Sequence, residues 1–93
     1  MKTIRFTGHA FERIFERGLS PIECEEAFLS SQIIETYPDD TPFPSELRLG
    51  FSNKKPIHLV VAETSDFIHV ITAYVPDPSL WSSDFTMRRK GGL

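Results

Sequence analysis

Apolar residues recur at helical spacing in the first third of this chain and at alternate positions after Ser31, and that change of period divides the fold. From Gly8, the residues Ala10, Phe11, Ile14 and Phe15 fall at i, i+1, i+4 and i+5, a narrow stripe along a helix over residues 8–17. Thr7 is placed to cap its start, and Gly18 to end it in the left-handed conformation. Ser20-Pro21-Ile22-Glu23 is a capping box with proline at the first helical position. It predicts a second helix over about residues 21–30, with Ile22, Cys24 or Ala27, Phe28 and Leu29 as the buried face.

Ile33 to Tyr37 is β-branched and aromatic, and three prolines between Pro38 and Pro44 stop it. Leu47, Leu49 and Phe51 alternate with polar or small residues, the pattern of a half-buried strand. Asn53 to Pro56 reads as a turn, and Ile57–Glu63 and Phe67–Val75 as two central strands. Met1–Phe6 adds a short edge strand. Short links between strands imply an antiparallel meander, with Trp81 and Phe85 folding back over it. The expectation is an α+β domain over residues 1–93: two N-terminal helices packed, through Phe11, Ile14, Phe15 and Phe28, on one face of a three- to five-stranded antiparallel sheet. The basic end, residues 88–93, is expected to fray.

Composition narrows the class. Ninety-three residues support one core, and 40% hydrophobic against 25% charged residues is globular. No apolar run is long enough to span a bilayer, the first residues lack a secretion signal, and Cys24 stands alone, so a soluble cytoplasmic protein with no membrane association is expected. The net charge of −3 argues against a general nucleic-acid binder. Six of the thirteen acids lie between Glu23 and Asp40, however, where there is no Lys or Arg, so another face is free to be cationic. Three scattered histidines and one cysteine show no metal-ligand spacing, and no Gly-rich phosphate loop or nucleophile elbow occurs; neither metal nor cofactor is expected.

His9, Arg13 and Arg17 are spaced i, i+4, i+8 along one side of the first helix, with Glu12 and Glu16 beside them. They are either a solvated, ion-paired face or an anion-contacting stripe. The helix dipole disfavours a charged His9, which suits a neutral base. His58 and His69 lie inside the central strands, where a histidine is structural or catalytic according to the face it occupies. Tyr74 sits next to the strand-breaking Pro76 and is either packed or directed to an open edge.

The stretch His9-Ala10-Phe11-Glu12-Arg13-Ile14-Phe15-Glu16-Arg17-Gly18-Leu19-Ser20 resembles the opening motif of a family known as domain of unknown function 4258. Ile34 to Tyr37 with Pro38-Asp39-Asp40, Pro56 to Ala62, Ile71 to Pro78 and Trp81 to Arg89 are similar to its later blocks. That family is grouped with the RelE/ParE-like toxins, whose better-known members are metal-independent ribonucleases or gyrase poisons. The resemblance implies a toxin-like fold, RNA as substrate and an antitoxin protein as partner. Cleaving RNA without metal requires a base for the ribose 2′-OH, an acid for the departing oxygen and cations for the phosphorane. The resemblance therefore makes His9, Arg13, His58, Tyr74 and Arg88 candidate catalytic residues, and Arg17, Arg48 and Arg89 candidate substrate contacts. Against this stands a different class: a non-catalytic protein-interaction module that keeps the toxin fold. The sequence leaves the oligomeric state open.

Overall fold

The computed structural model describes residues 2–90. Strand β1 (Thr3–Phe6) leads into α1 (Gly8–Glu16) and α2 (Pro21–Leu29). Four further strands follow: β2 (Gln32–Tyr37), β3 (Ser45–Ser52), β4 (Lys55–Glu63) and β5 (Phe67–Tyr74).

Local signals set both helices. The Thr7 hydroxyl accepts from the Ala10 N–H at 3.0 Å, and Gly18, at φ 73°, ends the first helix. At α2 both arms of the capping box form: Ser20 Oγ accepts from the Glu23 N–H at 3.1 Å, and the Glu23 carboxylate accepts from the Ser20 N–H at 3.0 Å. Ser20→Ala should cost about 1 kcal/mol, read as a lowered urea midpoint. Lys55 also pairs with Glu23, and these partners hold the carboxyl pKa below its usual value.

The strands form one sheet in the order β1-β5-β4-β3-β2. From β2 to β5 it is the expected antiparallel meander. Asn53 and Lys54, at φ 49° and 67°, make the β3–β4 link a two-residue turn with both central residues left-handed, the twist that suits a hairpin. The sheet as a whole is mixed, which corrects the all-antiparallel expectation: β1 runs parallel to β5, pairing Thr3 with Phe67 through Phe6 with Val70. The helical pair that separates β1 from the meander supplies the long crossover that parallel pairing needs.

Both helices lie on one face, over Ile57, Leu59, Val61, Ile68, Val70 and Ala73. They touch it through Ala10 and Ile14 from α1 and through the small Cys24 and Ala27 from α2, all buried. Burial raises the Cys24 thiol pKa to about 11. Phe11, Phe15, Ile22 and Leu29, expected to be core, stay exposed, Phe15 at 78%. Helix α2 presses close on the sheet: at Gly50 of β3 the Ala27 backbone occupies the space of a side chain.

A bulge between Val60 and Val61 leaves Ile71 of β5 without an opposite residue. It resets the alternation, so Val70 and Ala73 both face the helices while His69, Thr72 and Tyr74 face the other side. On that second face the register aligns Leu49, His58 and Tyr74 in one row and Glu35, Leu47, Val60 and Thr72 in the next. The chain after β5 crosses it and buries Trp81 against His58. Arg88 pairs with Trp81 in a β-bridge, and the Arg89 N–H donates to the Leu80 carbonyl, so the basic segment is tied down as far as Arg89. The remainder of the tail expected to fray, 91–93, and Met1 of the first strand lie outside the described residues.

Candidate functional site

His58 is the centre of the second face. It is fully buried in the middle strand, with Tyr74 opposite it on β5 and the Trp81 ring edge-on at 4.4 Å. Its Nε2 lies 2.8 Å from the Phe85 carbonyl oxygen. A carbonyl only accepts, so Nε2 carries the proton and Nδ1 is left as an acceptor. The Tyr74 hydroxyl, 3.3 Å from Nδ1, donates to it. Burial lowers the His58 pKa from 6.5, with the Phe85 contact opposing, so the ring is neutral at pH 7.

This linkage fixes a sign. The unfolded chain protonates His58 at about pH 6.5 while the folded one resists, so the stabilising difference is complete above 6.5 and is lost as pH falls below it. The carboxylates with lowered pKa values, Glu23, Glu63, Asp77 and Asp84, act only below their ordinary values of 3.8–4.5. The unfolding midpoint should therefore drop between pH 6.5 and about pH 5, and His58→Gln, less stable throughout, should lose that drop.

Tyr74, half-buried, links the buried imidazole to the β5 edge. Strand β1 covers β5 only as far as Val70, so the edge beyond is free. Arg17, at the C-terminal end of α1, reaches that edge: its Nη1 donates to Thr72 Oγ1 at 3.0 Å and to the Ala73 carbonyl at 2.9 Å. Its guanidinium lies 6.0 Å from the Tyr74 ring centre. Arg88 arrives from the other side on the returning tail, 5.7 Å from the Trp81 ring centre. Burial raises the Tyr74 pKa most strongly, Arg88 and Arg17 pull it down, and the Glu35 carboxylate adds to the rise; the net shift is upward. Glu35 shares this face with Tyr37, whose hydroxyl pKa burial and Glu35 also raise.

Of the sequence candidates, His58, Tyr74, Arg17 and Arg88 are thus brought together. His9 and Arg13 lie exposed on earlier turns of α1, and neither is among the charges acting on Tyr74. Arg48 is on the helix-covered face, where its guanidinium stacks 4.8 Å from the Phe28 ring, pairs with Glu46 and donates to Ser31 Oγ. Arg89 donates to the Pro78 carbonyl within the tail. Glu35 and Tyr37 were missed. Their alternation with Ile34 and Thr36 places both on one face, but only the register joins that face to Tyr74.

Among the described residues no group of three His, Cys, Asp or Glu side chains is placed to hold a metal ion. No helix among them is long and apolar enough to cross a membrane.

Residues 6–75 match the family described as Domain of unknown function (DUF4258), and the chain belongs to it. The match takes in Arg17, Glu35, His58 and Tyr74 and stops before the segment that carries Trp81, Phe85 and Arg88. Neither a curated protein nor a solved structure matches the chain.

Proposed function

We propose that this chain is a toxin-like, metal-independent ribonuclease related to the RelE/ParE-like toxins, acting in the cytoplasm and held in check by an antitoxin protein. One observation carries it: a buried, neutral imidazole is bonded to the hydroxyl of a phenol that has two guanidinium groups nearby. In RNA cleavage the Tyr74 oxygen takes the ribose 2′-OH proton while Tyr74 passes its own to His58 Nδ1. The resulting imidazolium is held by its Nε2–H bond to the Phe85 carbonyl. The 2′-oxygen attacks phosphorus, the bond to the 5′-oxygen breaks, and the leaving oxygen takes a proton from solvent. Arg17 and Arg88 hold the phosphate and offset the charge that develops on it. Tyr74 and His58 form the reacting pair, while Arg13, on an earlier turn of α1 than Arg17, extends the cationic rim and His9 lies beyond it.

The second reading, a non-catalytic interaction module, is favoured by the complete burial of His58 and by the exposed Phe11, Phe15, Ile22 and Leu29, which offer apolar surface to a partner. Induced expression separates the two. Growth arrest with RNA cleavage, relieved by co-expression of the adjacent gene, is expected for the ribonuclease; unimpaired growth with intact RNA is the outcome for the module.

A further inference from the structure

A cavity of about 450 Å³ opens on the same sheet face, at the end away from His58. Ala62 and His69 form its floor, and the β2–β3 loop, with Asp39, Asp40, Thr41 and Phe43, forms its wall. Ile71, pushed outward by the bulge, closes one side. The volume is that of a ligand site. Its lining residues include Asp39 and Asp40 and no Lys or Arg, and among the described residues neither aspartate joins an ion pair; Arg5, beside His69 in the register, is turned over the Phe67 ring 4.5 Å away. The Asp40 carboxylate accepts from Ser45 Oγ and is thereby held in place, while Asp39 makes no side-chain bond among those residues and is free to accept.

We infer that this cavity takes the guanidinium of an arginine presented by a protein partner. Aspartates held in no ion pair attract a positive group and repel a phosphodiester, so an RNA strand at Arg17 and Arg88 does not extend into it. A planar fork of N–H donors suits adjacent carboxylates, and Phe43, 49% exposed, gives that plane an aromatic face to stack on. A lysine ammonium would use the charge and waste the flat wall. Ile71 and Ala62 accommodate the methylene stem. This assignment is independent of RNA cleavage, since none of the lining residues belongs to the Tyr74 site.

The test is a titration of the uniformly ¹⁵N-labelled full chain with three probes: Nα-acetylarginine methylamide, its neutral citrulline isostere, and guanosine 3′-monophosphate. The arginine compound should shift the amide resonances of Asp39, Thr41, Phe43 and His69. Citrulline should bind at least about tenfold less tightly, and Asp39→Asn, whose spectrum elsewhere should be unchanged, should weaken the arginine compound by a similar factor. Equal binding of citrulline, shifts at these amides with the nucleotide but not with arginine, or no shift with any probe would overturn the assignment. Loss of ribonuclease activity in Tyr74→Phe, with arginine binding intact, would leave it standing.

Discussion

Gly50→Ala should destabilise the protein by ~3 kcal/mol or more, the largest stability loss expected of any single methyl group in this chain. A Cβ built at Gly50 would lie 1.7 Å from the Ala27 carbonyl oxygen and 2.5 Å from its carbon. Those atoms are backbone, so no rotamer change relieves the clash, and α2 must lift from β3. Lifting it opens the contact that buries Cys24 and Ala27 against the sheet. For a domain of this size that is a large part of the total stability, and thermal unfolding should fall by more than about 10 °C. Gly8→Ala is the control: nothing lies within 4 Å of a Cβ there and the position is helical, so the substitution should be neutral or slightly stabilising. Equal losses in the two variants would mean that the helix does not seat on Gly50.

Tyr74→Phe should lower the rate of RNA cleavage by about a hundredfold or more and leave the KM for RNA close to that of the parent protein. The ring stays, with its packing against His58 and Arg17, while the oxygen that the proposed mechanism assigns to the 2′-OH proton is lost. The cost in stability should be about 1–2 kcal/mol, because His58 Nδ1 is left as a buried acceptor without its partner. A pH profile adds a second readout. His58 must be neutral to take the proton, and burial lowers its pKa from 6.5, so activity should persist through pH 6.5 and decline only below it. A fall in KM-dependent binding with an unchanged turnover would assign Tyr74 to substrate contact alone.

Much of the fold is legible in local chemistry. The Ser20 capping box, the Thr7 cap and the alternation in β3 are interactions between near neighbours, and each formed where the residues called for it. The parallel pairing of β1 is a different kind of fact. Thr3–Phe6 contacts a strand more than sixty residues later, and a four-residue edge strand carries nothing that specifies its direction. The exposed Phe11 and Phe15 mislead for a related reason: apolarity marks a helix face, but which of its residues meet the sheet is set by packing on the distant β5, which buries Ala10 and Ile14 and leaves the two phenylalanines outside.

At the site, His58 and Tyr74 stood out by residue type, and Arg17 by its place at the end of the cationic stripe. What strand parity could not show was the side they share. His69 and Tyr74 are five apart and would face opposite ways in a regular strand, yet the bulge at Ile71 puts both on the face away from the helices. Arg48 lies apart from His58 and Tyr74 for the converse reason: its register opposite Leu59 commits it to the helix-covered face. Glu35 lay hidden among the acids of the Glu23–Asp40 segment, and only its row with Leu47, Val60 and Thr72 connects it to the site.

The central claim is proton transfer from a ribose 2′-OH through Tyr74 to His58, and the ends of the cleaved RNA report it most directly. Purified protein should be incubated with a defined RNA in excess EDTA, in parallel with the same RNA carrying a 2′-O-methyl group at each mapped cleavage position. The account predicts cleavage that persists in EDTA, 2′,3′-cyclic phosphate and 5′-hydroxyl ends, no cleavage at the methylated positions, and a loss of about a hundredfold in Tyr74→Phe. Intact RNA, cleavage abolished by EDTA, or cutting at the methylated positions would contradict it.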